Sequence, residues 1–197
     1  MMDRELRQAY ELLNNEILWI CLRWQIFKQI FGTSKENIEL LNEFAPVSFR
    51  IFQDSSYDDI ILSINRLLDP PSTCGKDNLA LSRLLLMIKE KNCQELHEEL
   101  APTYEEIKSK SKAIIEQRRK RIGHNDLESI KSNFHFLPGT SRNMVNDILA
   151  DIYSFMNRVS GHFDESECYY RFLEPEGKDG EKLINHLRQL KDYYSSE

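Results

Sequence analysis

DRELRQAYELLNNEILWICLRWQIFKQIF, residues 3–31, carries the periodicity that decides the fold. Tyr10, Leu13, Ile17, Ile20, Trp24, Phe27 and Phe31 recur in steps of three and four. That alternation keeps every one of them on a single face of a helix. The stretch is therefore predicted to be one long helix. Its broad aromatic stripe reads as packing inside a bundle rather than as a dimer seam. Gly32 ends the helix, and the Ser34 hydroxyl is placed to cap the next one.

The pattern continues outward from there. Residues 35–44 read as a short helix, and Pro46 opens another that runs to Leu68. Its apolar face is Phe49, Phe52, Ile60, Ile64 and Leu67. DSSYDD, residues 54–59, is expected to interrupt and bend it, because Asp and Ser are poor helix formers. Asp69-Pro70-Pro71 stops it. Gly75-Lys76 in the following loop is no phosphate-binding loop: Pro70 stands where that motif needs Gly, and Asp77 where it needs Ser or Thr. Asp77 or Asn78 is predicted to cap a helix over residues 79–89, with Leu81, Leu84, Leu85 and Ile88 inward. Asn92 begins another segment. Pro102 suits the first turn of the long helix that follows. Ser141 caps a helix through Val159, with Met144, Ile148, Ile152, Phe155 and Val159 inward, and Gly161 ends it. Residues 162–179 read as acidic and irregular, and Glu181 to Tyr194 as a last amphipathic helix.

Glycine and proline are scarce, at 7 and 6 of 197 residues, and strand-like alternation is nearly absent, which points to an all-α fold. The expected architecture is an up-and-down helical bundle with extra helices and little or no strand, its spine two long antiparallel helices. Residues 1–161 are expected to form the bundle. Residues 162–197, an acidic irregular segment and a C-terminal helix, are expected to pack on it. Hydrophobic content of 41% and charged content of 29% are those of a soluble globular protein. No apolar run approaches a membrane span and MMDRELRQAY is no signal peptide, so a cytoplasmic chain with no membrane partner is expected. Cys21, Cys74, Cys93 and Cys168 form no CxxC pair and read as free thiols.

One stretch departs from an ordinary bundle: RRKRIGHND, residues 118–126. From Lys108 to Arg121 seven basic residues face one acid, Glu116, a local charge of +6 in a chain of net charge −6. Positive charge gathered at one helix end of an acidic protein is suited to holding an anion. On a continuous helix Tyr104, Ile107, Ile114, Ile115 and Ile122 share one face, and Arg118 falls within roughly 20° of its middle. A guanidinium is seldom placed there unless something pairs with it. His124 would then lie about 120° around from Arg118 and about 9 Å along the axis. Either the helix breaks at Gly123 and His124 swings back, or the two groups meet across two chains.

The run Arg118-Arg119-Lys120-Arg121-Ile122-Gly123-His124 resembles the motif of the HEPN superfamily (higher eukaryotes and prokaryotes nucleotide-binding), an Arg followed after four to six residues by His. Arg118 is the first choice for the motif Arg and Arg119 the second. Arg119 and Gly123 stand where the family often has Asn and Ala. NRLLDPPSTCGKDNLALSRLL, residues 65–85, is similar to the segment that precedes the motif in the abortive-infection U-type branch. With His-Asn-Asp-Leu at 124–127, the likeness spans roughly residues 5–160.

The resemblance implies a metal-independent endoribonuclease without cofactor, acting in phage defence or a toxin–antitoxin system. RNA supplies its own nucleophile, the 2′-hydroxyl. A neutral His124 takes its proton and an imidazolium protonates the leaving 5′-oxygen. Arg118 steadies the charge on phosphorus with a fork that matches phosphate oxygens. Two motif helices are expected to face each other in a homodimer. Arg119, Lys120 and Arg121 are candidates for RNA contact, a tRNA included. Asp126 is a candidate to orient His124, and Asp69 to pair with Arg118. An antitoxin or another defence-system component is the implied partner. The alternatives are a HEPN protein that binds nucleotide or RNA without cutting, and a helical interaction module. His97, His135, His162 and His186 have no metal-ligand spacing.

Overall fold

The computed structural model describes residues 2–117, 119, 140–164, 168 and 178–196. Among them are eight helices and one two-stranded hairpin, so the fold is all-α. The helices are α1 (Arg4–Phe31), α2 (Lys35–Phe44), α3 (Pro46–Leu67), α4 (Leu81–Glu90), α5 (Gln94–Lys110), α6 (Lys112–Gln117), α7 (Arg142–Asp164) and α8 (Asp179–Ser195). The hairpin pairs β1 (Ser72–Thr73) with β2 (Lys76–Asp77). The chain divides into two compact units, one of residues 1–17 and 61–170, the other of residues 18–60 and 171–197.

In the first unit, Asp3 starts α1. Its carboxylate accepts from the Leu6 N–H at 2.9 Å and pairs with Lys91 at 2.7 Å. The Lys91 bond, and then that amide, hold the Asp3 carboxyl below the usual carboxylate range. The α1 stripe is buried here at Leu6, Leu13 and Ile17. Helices α4 and α5 form a hairpin closed by Asn92, whose φ of 59° is left-handed. The Cys93 N–H reaches back to the Ile88 carbonyl (3.2 Å) and the Asn92 N–H to Lys89 (3.0 Å), which satisfies two carbonyls at the end of α4. Asn92 thus ends one helix rather than beginning the next. Helix α7 runs antiparallel to α5, as three contacts show. Lys110 pairs with Asp151 at 2.7 Å, while Arg158 meets Thr103 at 3.0 Å and Glu99 at 3.5 Å. Between them lie Leu100, Ile107, Ile148, Ile152 and Phe155, all buried.

Several boundaries differ from the sequence reading. Pro102 lies inside α5, not in its first turn. It is exposed, so water can serve the carbonyl whose N–H partner proline removes. Gly161 does not stop α7, which continues to Asp164, where the carboxylate pairs with Arg7 of α1 at 2.8 Å. Neither Asp77 nor Asn78 caps α4. Asp77 pairs with Arg83 at 2.8 Å, and the Asn78 amide donates to the Pro70 carbonyl and the Thr73 hydroxyl, each at 2.8 Å. Asn78 therefore ties the hairpin to the DPP turn. The hairpin itself closes through Cys74 and Gly75, both left-handed at φ of 50° and 77°, as a two-residue turn needs. Leu85 and Met144 are half-buried. All four cysteines are free thiols.

In the second unit, Ser34 caps α2 as expected, accepting from Asn37 N–H at 3.3 Å. Helix α3 passes through residues 54–59 without a break, and Phe52 on it is 58% exposed rather than inward. Leu40 and Leu41 of α2 bury Ile184 of α8. Gly180, at the start of α8, donates its N–H to the Gln29 side-chain carbonyl at 3.0 Å. A Cβ on Gly180 would lie 2.6 Å from the Gln29 Cβ. Gly180→Ala is therefore expected to cost about 1 to 3 kcal/mol by overpacking. A melting temperature equal to wild type would show that α8 is not seated this closely.

Candidate nucleic-acid interface

The chain approaches its basic motif along α5 and α6, and a set of buried polar groups holds that path. The end of α3 provides the first. Asn65 is 2% exposed, and its amide donates to the Ile61 carbonyl at 2.7 Å and to the Ile114 carbonyl at 3.4 Å. Ile114 sits in α6, four residues before Arg118 in the sequence. Asn65 thus ties α3 to the last turn before the motif.

The second group lies one turn further along. The Ser82 hydroxyl donates to the Asp69 carbonyl at 2.6 Å. Tyr104 hydrogen-bonds to Ser82, and burial pushes the Tyr104 phenol above its ordinary value. The Lys108 ammonium lies 5.3 Å from the centre of the Tyr104 ring. A tyrosine, a serine and the DPP turn are thereby fixed beside α5.

A turn at Ser111 separates α5 from α6. Ser111 is wholly buried, and among the described residues neither its hydroxyl nor that of buried Ser63 has a hydrogen-bond partner. Ile114 is buried and Ile115 is 39% exposed, whereas the sequence reading placed both on one face. The buried positions are Tyr104, Ile107, Ser111 and Ile114, in steps of three, four and three.

The electrostatics are narrower than the count of basic residues suggests. Lys108 pairs with Glu105 at 3.2 Å. Lys110 pairs with Asp151 at 2.7 Å and Glu106 at 2.9 Å, and these bonds, Asp151 first, raise its pKa. Two of the seven positive charges are thus paired, Lys108 within α5 and Lys110 also to α7. Lys112 and Arg119 are exposed. Arg118, Lys120, Arg121, His124 and Asp126 lie outside the described residues. Asp69 is half-buried at the end of α3, its carboxylate close enough to act on the Tyr104 phenol.

Asn65 and Ser111 escaped the sequence reading as site residues. Asn65 lay inside a stretch read for its likeness, and Ser111 was not singled out. The three–four spacing from Tyr104 to Ile114 was the available signal, because it places Ser111 on the buried face.

No helix among the described residues is long and apolar enough to cross a membrane. No curated protein and no solved structure matches the chain. The family model HEPN_AbiU2, described as AbiU2, matches residues 3–183. The match takes in both the helices that carry the buried polar groups and the Arg–His run itself, and the chain belongs to the AbiU2 family of HEPN domains.

Proposed function

We propose that this chain is a metal-independent endoribonuclease that cuts RNA, tRNA among the candidates, in phage defence or a toxin–antitoxin system. The observation that carries the reading is the register of buried positions on α5 and α6. Tyr104, Ile107, Ser111 and Ile114 are buried, and the next step of four in the sequence is Arg118. That register, anchored by Asn65, supports Arg118 as the phosphate-gripping group in preference to Arg119, which is exposed.

In this reading His124 takes the 2′-hydroxyl proton, the 2′-oxygen attacks phosphorus, and the 5′-oxygen leaves with a proton from an imidazolium. The charge gathered on the non-bridging oxygens is met by Arg118. Two chains pair so that two such sets line one cleft, and Lys120, Arg121 and exposed Arg119 hold the RNA backbone. Asp126 accepts the second ring proton of His124. Asp69, two residues beyond α3, is the carboxylate partner this reading gives Arg118; its backbone carbonyl accepts from the Ser82 hydroxyl.

The products report the chemistry. Attack by the 2′-oxygen leaves a cyclic 2′,3′-phosphate and a 5′-hydroxyl, and neither acid nor base is a metal-bound water. End-labelled RNA is expected to be cut in EDTA at the same rate as in magnesium, with cyclic 2′,3′-phosphate ends. Loss of cleavage in EDTA, or 5′-phosphate ends, would overturn the mechanism and favour a chain that binds RNA without cutting it.

A further inference from the structure

The stretch DSSYDD is helical in α3 despite five residues of poor helix propensity among its six. Nothing in the ribonuclease reading uses it. Its place in the second unit explains its composition. Ser55, Ser56 and Asp59 form one wall of a cavity of about 330 Å³. The opposite wall is a face of α1: Ile26 and Ile30 with the rings of Phe27 and Phe31. Apolar side chains at 55 and 56 would fill that space and stabilise the packing. Ser55 and Ser56 are both exposed, and two small hydroxyl residues there leave the space open to solvent. At one end stand Arg23 and Asp59, whose side chains are 35% and 44% exposed. They pair through Arg23 Nη1 and Asp59 Oδ2, and Arg23 Nε donates to the Trp19 carbonyl at 3.2 Å. A guanidinium has five N–H donors and a carboxylate about four acceptor sites, so both keep capacity for a ligand.

We propose that this cavity binds a flat, uncharged ring with an amide edge, of which guanine in a nucleoside is the type. The apolar α1 wall takes the ring faces, with Phe27 and Phe31, centroids 5.4 Å apart, as aromatic neighbours. The ring N1–H and the adjacent exocyclic amino group donate to the Asp59 carboxylate, and the neighbouring carbonyl accepts from Arg23, an oxygen that arginine also reads in nucleic acids. Ser55 and Ser56 serve the hydroxyls of the sugar. A phosphate gains little here, because Asp59 repels it. The volume lies at the lower end for a small-molecule site, which suits a nucleoside and excludes much larger ligands.

The test is titration of the full chain with guanosine, inosine, adenosine and guanosine monophosphate, followed by amide chemical shifts and calorimetry. Guanosine is expected to bind and to shift residues 23–31 and 55–59. Inosine, lacking one donor, should bind about 10-fold more weakly, and the monophosphate no more tightly than guanosine. Ser56→Leu fills the cavity and should abolish binding while leaving the melting temperature equal or higher. Asp59→Asn, at a half-exposed position with little risk to folding, should cost about 10-fold or more and erase the preference for guanosine over inosine. His124→Ala should bind guanosine as wild type does, which separates this site from the proposed nuclease. No shift with millimolar guanosine, shifts confined to other residues, or equal affinity in Asp59→Asn would overturn the proposal.

Discussion

His124→Ala is expected to lower RNA cleavage by at least about 10² to 10⁴-fold, the usual contribution of a positioned acid or base. RNA binding should change little. Most of the affinity of a nucleic-acid-binding protein comes from cationic contacts to phosphates, and His124 is neutral when it acts as base. Arg118→Ala should behave differently. It removes a cation that grips phosphate in the ground state and meets the added charge in the transition state, so both binding and rate should fall. The comparison separates the two roles because one variant moves the rate alone. If two chains share a cleft, mixing inactive His124→Ala with inactive Arg118→Ala should restore part of the activity, since a mixed dimer can assemble one intact set. Cleavage by His124→Ala near the wild-type rate would remove acid–base catalysis by this residue. A strictly monomeric chain with full activity would remove the shared cleft.

What could be read in the sequence follows from which interactions are local. The α1 stripe from Tyr10 to Phe31 is a periodic signal, and Leu13, Ile17, Ile20, Trp24 and Phe27 of it are buried, with Tyr10 and Phe31 at its ends half-buried. Ser34 and Ser141 cap α2 and α7 because a side-chain oxygen three residues before an orphan N–H is a local arrangement; the Ser141 bond to Met144 is 3.1 Å. Non-local choices were hidden. Asn78 could have capped a helix, but the DPP turn and Thr73 claim its amide. Asn92 reads as a helix start by composition and is a left-handed stop by geometry, because α5 must fold back along α4. DSSYDD reads as a break by propensity, yet burial of Ile60, Ile61 and Ile64 just beyond it keeps α3 whole. At the candidate site, the Arg–His run was legible as a motif. Its anchoring was not, since the Asn65 contact to Ile114 joins residues 49 positions apart.

The 100° step between neighbours on a helix gives two adjacent isoleucines of α6 opposite fates, and stability measurements should separate them. Ile114 is wholly buried in α6, and Ile115 beside it is 39% exposed. Ile114→Ala is expected to cost about 2 to 5 kcal/mol, the transfer of lost methyl groups plus the cavity they leave. Ile115→Ala should cost no more than about 1 kcal/mol, because a partly exposed side chain gives up little buried area. Against a total stability of about 5 to 15 kcal/mol the first change is large. Urea titration should show it as a shift of the midpoint by about 1 to 2 M. The consequence for function is specific. The Ile114 carbonyl is the atom Asn65 holds, so loosening this side chain loosens the turn that leads to Arg118 in the sequence. Ile114→Ala should therefore lose cleavage at temperatures where the first unit is still folded, whereas Ile115→Ala should retain it. Equal destabilisation by the two variants would refute the opposite burial of the two isoleucines and the anchoring built on it.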